Sequence, residues 1–404
     1  MGGYVFPNEL EVNWGLFIVL YPYITGLVAG AFIASSLYHV FGKAELKPVS
    51  RLSLISALAF LIVAPMPLML HLGQPFRAFN ILWTPNPTSA MAGFGYIYSF
   101  YMIIVLLEIW FMYRKDLVQY AETRTGFARL GYNILTLGAK DISPEALHTD
   151  HKIVSALAVI GIPSAAFLHG YVGFIFGAIK ANPWWSTPLM PVIFFLSAIV
   201  SGIALLILIY SVSCKLRDRK IDFACLMSLN KYLWFFIILA STLEILEVVH
   251  KGYEGKEEWP MIRGLIFDTI PTTYFGVQMT LGVLVPFILL LLGRSERLAT
   301  KTRELLTVVS GLLVLIGVFA MRFNVVIGGQ LISKSLAGYA NFHVGLINDE
   351  GIIPTMLLAF LPIAILTVLV RILPPWVGDE PVEEEMEEHK AMPNIVTSQT
   401  VSSR

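Results

Sequence analysis

Cysteine is nearly missing from this chain: Cys214 and Cys225 are the only two in 404 residues. Two thiols with ten residues between them cannot supply the four thiolates that an iron–sulfur cluster usually takes. They read as small buried thiols rather than a disulfide or a metal site. Charge is scarce as well, at 14% of residues, and 28 Lys and Arg offset 28 Asp and Glu. No basic footprint for nucleic acid follows from a net charge of zero. Residues 1–13 contain no Lys or Arg, so the positive start of a cleavable signal is missing, and the first apolar run is too long for one. That run is expected to stay in the protein. No strong internal repeat is visible.

What the chain has in excess is apolar length. Hydrophobic residues make up 56% and the mean hydropathy is +0.72, which excludes an ordinary soluble domain. A spanning helix needs roughly 20 apolar residues, because hydrocarbon offers the backbone no partner. Nine stretches qualify, at about 14–40, 51–72, 91–113, 152–178, 189–213, 229–250, 273–293, 305–327 and 353–373. A tenth at 323–345 is opposed by Lys334 and its polar neighbours. Loops one, three, five and seven hold about 18 of the Lys and Arg, against about 7 on the other side. The bias predicts a multi-pass protein of the cell membrane, with the amino end outside and the carboxyl end cytoplasmic.

The remaining pieces are few. The polar loop 114–151 is long enough for a short amphipathic helix on the cytoplasmic face. Loops 73–90 and 179–188 are rich in proline, asparagine and tryptophan, and read as rigid turns at the interface, where tryptophan anchors well. Residues 378–404, with the EEEMEE run, read as a disordered acidic cytoplasmic tail. Residues 1–377 form the membrane domain.

An ionisable group inside a span costs several kcal/mol unless it is paired or wet, so each one is a candidate site. Most gather toward the outer third. His71 ends the second span, with Arg77 just beyond it. His169 lies about 25 Å up the fourth span, at 1.5 Å per residue. Glu244, Glu247 and His250 share one side of the sixth, and Arg322 closes the eighth. Bland readings stand beside these: Glu247 pairing with Arg322 or His250 as structural glue, Arg77 and Glu108 snorkelling to the headgroups. Glu108 also reads as a proton-path residue. His39, His148 and His151 read as boundary histidines, and His343 sits in the last outer loop.

Three chemistries use such a cluster. A quinone site needs a proton acceptor beside apolar walls. A bis-histidine haem needs two facing histidines, and His71 with His169 supplies one pair at most. A secondary transporter needs broken helices, for which Gly161-Ile-Pro163 and Ala64-Pro65-Met66-Pro67 are candidates. The residues alone leave quinone and transport level.

Sequence motifs separate them. Residues 68–91, LMLHLGQPFRAFNILWTPNPTSAM, resemble the LGRP-type segment of the NrfD/PsrC family of membrane quinone-interacting subunits. Residues 167–202 are similar to the same family through Gly170-Tyr171-Val172-Gly173 and Trp185-Ser-Thr-Pro188. GVFAMRFNVVIGGQ at 317–330 resembles the longer HybB/DsrP-like branch, and YPYITGLVAGAF at 21–32 also fits. The resemblance covers roughly residues 10–375. One departure concerns the site. Members often carry an acidic residue before the LGRP-type turn, where this chain has His71, and the motif's arginine is Gln74 here.

The resemblance implies an all-α polytopic fold: about nine helices, in two four-helix bundles plus an extra helix. It implies a subunit of a respiratory oxidoreductase that binds menaquinone or menaquinol near the outer face, with no haem or cluster of its own. A ferredoxin-like iron–sulfur subunit would dock at that face, beside further catalytic or cytochrome subunits. His71, His169 and Glu247 are the candidate catalytic residues. Arg77, Tyr171, Glu244, His250 and Arg322 are the candidate quinone-binding residues.

Overall fold

The computed structural model describes residues 11–348 and 350–376; the acidic tail expected from 378 lies outside the described residues. Among these residues, nine helices are long and apolar enough to cross a membrane. They are α1 (Leu16–His39), α2 (Ala44–His71), α3 (Ala90–Thr123), α4 (Pro144–Gly177), α5 (Met190–Leu216), α6 (Phe223–Glu254), α7 (Thr272–Gly293), α8 (Thr300–Leu331) and α9 (Ile352–Ile372). The protein is an all-α integral membrane protein. No tenth span forms at 323–345: α8 carries the apolar run to Leu331, and the chain then turns through an isolated Ile332–Tyr339 bridge.

Helices α1 to α4 close one four-helix bundle and α5 to α8 a second, while α9 packs on α2 and α1. The bundles meet through α1 and α5. In α1, 89% of the most apolar window is buried, and in α5 78%, against 17% in α9. The first two are therefore the protein's core, and α9 is mostly exposed at its periphery. Without a hydrophobic drive between helices in hydrocarbon, close backbone approach does the packing. A Cβ on Gly202 would sit 2.3 Å from the Gly30 Cα, and one on Gly282 2.3 Å from the Gly317 Cα. Those two crossings, α1 on α5 and α7 on α8, admit only glycine.

Local chemistry sets the ends. The Ser143 hydroxyl accepts from the Ala146 N–H at 3.3 Å to start α4, and the Asp222 carboxylate accepts from Cys225 N–H at 3.1 Å to start α6. Just before α4, Asp141 accepts from the Ser143 backbone N–H at 2.9 Å, which holds its carboxyl below the usual range. α2 breaks after Val63 and resumes at Met66, at the Ala64-Pro65 step. α4 passes Pro163 unbroken, with the Ser164 hydroxyl bonded to the Ile160 carbonyl at 2.8 Å. α7 opens as a π-helix over Thr272–Leu284.

The two faces differ. At the face holding the amino end of α1, loop 178–189 is pinned to α8. Asn182 Nδ2 donates to Gly329 O at 2.8 Å, Trp184 Nε1 to Asn324 O at 3.0 Å, and Trp185 Nε1 to Val325 O at 2.6 Å. Trp184 and Trp185 are buried in protein, so they anchor the loop to a helix rather than to the lipid interface, as their composition suggested. At the opposite face Arg51 pairs with Asp116 at 2.8 Å and Arg114 with Asp150 at 2.7 Å. The amphipathic helix expected in the 114–151 loop is Gly126–Leu135. Trp110 Nε1 donates to Leu135 O at 2.9 Å, and the Tyr132 hydroxyl donates to Ile372 O at 3.0 Å, closing α9. Cys214 and Cys225 are free and buried.

Candidate functional site

The ionisable groups near the amino-end face do not form one cluster. They form two, at different depths along α1. Gly15, at the start of α1, touches Glu350, which bonds His71; Gly26 lies beside the His169 ring, where a Cβ would come within 3.1 Å of Cε1. Eleven residues of helix separate these levels, about 16 Å. His169 is therefore well inside the protein, and the single depth expected from counting along spans is corrected.

The shallow group is His71–Glu350. His71 ends α2, and the Pro65 break sets the direction of its last turns. His71 Nδ1 is bonded to Glu350 Oε1. Glu350 Oε2 accepts from the Gly15 N–H at 2.7 Å, and the Glu350 carbonyl from the Leu16 N–H at 3.3 Å. Glu350 thus covers two amides at the start of α1 that lack helical partners, Gly15 through its carboxylate and Leu16 through its carbonyl. With Nδ1–H donating to a carboxylate, the neutral imidazole carries its lone pair on Nε2. Both side chains stay about a fifth exposed. The chain following His71 is strongly apolar on its open side: Leu72, Phe76, Phe79 and Trp83 are all exposed. It leads on toward α3, where the Tyr96 hydroxyl bonds Leu82 O at 2.9 Å. Tyr96 in turn lines an open crevice of about 450 Å³ between α3 and α4, with Phe100, Pro163 and Phe167.

The deep group centres on Arg322, which is fully buried. Its Nη2 lies 3.0 Å from His169 Nε2 and 2.6 Å from Ser197 Oγ, and its guanidinium sits 3.9 Å over the Phe194 ring. Since arginine only donates, His169 Nε2 accepts and the ring proton is on Nδ1. Among the described residues Arg322 makes no carboxylate ion pair; its charge rests on hydrogen bonds and a ring face. Ser197 also lines a small cavity of about 30 Å³ between α5 and α8, which Glu244 and Gln278 enter from α6 and α7. Gln278 Nε2 donates to Glu244 at 2.9 Å, and Asn324 Nδ2 donates to Gln278 Oε1 at 2.7 Å. Gln278 lies in the π-helical stretch, a distortion frequent at functional positions.

The other candidates stand apart. Glu247 pairs with Lys251 at 3.3 Å, not with Arg322 or His250, and Lys251 donates to Pro183 O and Trp184 O at 2.9 and 3.0 Å. That is glue between α6 and the tryptophan loop. His250 is exposed, 3.9 Å from Glu254. Arg77 is exposed. The Tyr171 hydroxyl donates to Ala90 O at 2.8 Å and tethers α4 to α3. Glu108 does not snorkel: it is fully buried in the first bundle with both carboxylate oxygens unpartnered. Glu350, Ser197, Gln278, Asn324 and Lys251 were not picked out from sequence. A carboxylate one residue before the α9 N-cap was the one available signal for Glu350.

Residues 6–334 match the family described as "Polysulphide reductase, NrfD". The chain belongs to the NrfD family. Among NrfD relatives, it is 30% identical to a selenate reductase subunit of Mesobacillus selenatarsenatis, over 78% of this chain and 73% of that one. It is 24% identical to an Hdr-like menaquinol oxidoreductase integral membrane subunit of Archaeoglobus fulgidus, over 83% and 78%. Against a polysulfide reductase polypeptide of Wolinella succinogenes it is also 24% identical, over 79% and 95%. The NrfD match ends at residue 334, so α9 and Glu350 lie beyond it.

Proposed function

We propose that this chain is the quinone-binding membrane subunit of a multi-subunit reductase complex. In this reading menaquinol or menaquinone reacts beside His71, and electrons pass to or from a ferredoxin-like iron–sulfur subunit docked on the same face. The positive-charge bias puts that face outside the cytoplasm. The observation that carries the reading is His71 itself: Nδ1 is engaged, Nε2 makes no hydrogen bond among the described residues, the side chain is about a fifth exposed, and an exposed apolar segment runs from it to the α3–α4 crevice. A proton acceptor at the rim of an apolar path fits a quinone headgroup and its isoprenoid tail. The names of relatives that act on menaquinol and in reductases support it.

When bound, the quinol supplies two electrons and two protons. His71 Nε2 takes a proton from a quinol hydroxyl, and Glu350 holds the ring in the tautomer that allows it. The apolar residues at 72–83 keep water from the ring's faces. The haem reading lacks a facing pair, since His71 and His169 are each engaged elsewhere at different depths, and of the two helix breaks that transport would use only the one at Ala64-Pro65 forms, α4 passing Pro163 unbroken.

In the purified complex, His71→Ala lowers menaquinol-dependent reduction of the partner by at least about 100-fold, with assembly intact. Normal turnover in that variant overturns the assignment.

A further inference from the structure

The ninth span lies outside the segment that matches the family, yet the residue just before it reaches the candidate proton acceptor. We propose that α9 completes the site by delivering Glu350 as the positioning residue for His71, and that the pair acts as one proton-accepting unit. The inference rests on the quinone reading above and deepens it.

Three observations converge. Glu350 bonds His71 Nδ1 with one oxygen and the α1 amide of Gly15 with the other, so its position is fixed from two sides. Gly15 exists to admit it: a Cβ there would sit 2.3 Å from the Glu350 Cβ. Among the described residues, the other ionisable side chains on the surrounding segments, Glu11, Arg77 and His343, are exposed, and none bonds His71. Glu350 is then what distinguishes the two ring nitrogens of His71, and it stands opposite the charge that appears when Nε2 is protonated.

In the oxidising direction, a quinol O–H bond breaks and the proton goes to His71 Nε2. The imidazolium keeps its Nδ1–H on the Glu350 carboxylate. The electrons leave singly to the partner's iron–sulfur carrier, and the second proton goes to water at this open face. In the reducing direction the same pair donates.

Capping α1 is the competing role, and glutamine separates the two: it still accepts from the Gly15 N–H but lacks the charge. The test uses the purified complex with a short-chain menaquinol, turnover being expressed per assembled complex from partner iron. Glu350→Gln is expected to lower kcat on the order of 10- to 100-fold with KM within about twofold, and Glu350→Asp to restore part of it. Because the pair acts as a unit, His71→Asn/Glu350→Gln should be no slower than His71→Asn alone. Full kcat in Glu350→Gln beside a dead His71→Asn overturns the pairing and leaves the quinone reading standing. So does an equal loss in Asp349→Asn, the neighbouring carboxylate in sequence, or fewer complexes with unchanged kcat in each. Normal turnover in His71→Asn overturns the quinone reading itself.

Discussion

His71 and His169 look alike in sequence, each an imidazole near the end of an apolar run, and the fold gives them opposite neighbours. His71 lies against a carboxylate and keeps Nε2 open at the protein's edge. His169 has Nε2 occupied by a guanidinium and is sealed inside. A ring nitrogen that already accepts a hydrogen bond cannot take a proton without breaking it, so the buried histidine is built to hold an arginine. The edge histidine keeps a ring nitrogen free of such a bond among the described residues, as the proposed proton exchange requires. In both cases the facing charge comes from a part of the chain far away in sequence, Arg322 from α8 and Glu350 from the turn before α9.

Three substitutions test this contrast beyond those on His71 and Glu350. The largest effect is expected at the deep group. Arg322→Met strips donors from His169 Nε2 and Ser197 Oγ and removes the ring contact on Phe194. A loss of about 3 kcal/mol follows, read as a lower midpoint in detergent denaturation. Unchanged stability would mean the buried cation was as costly as its bonds were favourable. Gly15→Ala works on the shallow group at one remove: the new Cβ displaces Glu350, and turnover should drop by about 3- to 10-fold while the midpoint moves less than in Arg322→Met. A midpoint shift with full turnover would reverse the roles assigned to the two regions. The smallest effect belongs to His250→Ala. Its side chain is exposed and weakly paired, so stability stays within about 0.5 kcal/mol and turnover is unchanged.

Much of the architecture is readable from apolar length, because lipid forces every span to satisfy its own backbone. The nine spans, the break at Ala64-Pro65 and the amphipathic Gly126–Leu135 helix all follow from that. The π-helical opening of α7 does not, since TTYFGVQMTLGVL has the composition of any apolar helix. Individual candidate residues were legible as charges out of place: His71, His169, Glu244 and Arg322 all make polar side-chain contacts. Their partners were not. Ser197 is one of several serines on apolar helices, and Glu350 is 279 residues from His71. Counting along a helix fixes neither a common depth across tilted helices nor azimuth across the bundle, so His169 seemed level with His71, and Glu247, paired with Lys251, and exposed His250 seemed to belong with Glu244.

The distance between His71 and Glu350 along the chain has a meaning in time. Spans enter the membrane in the order they are made, so His71 is in place with the second, while its carboxylate must wait for the ninth. At roughly 5–20 residues per second, 279 residues take on the order of half a minute. Through that interval the Gly15 and Leu16 amides and the His71 ring lack the group that later holds them together. Arrival of α9 joins the start of the first span to the end of the second, so this face is completed long after its first two spans are made.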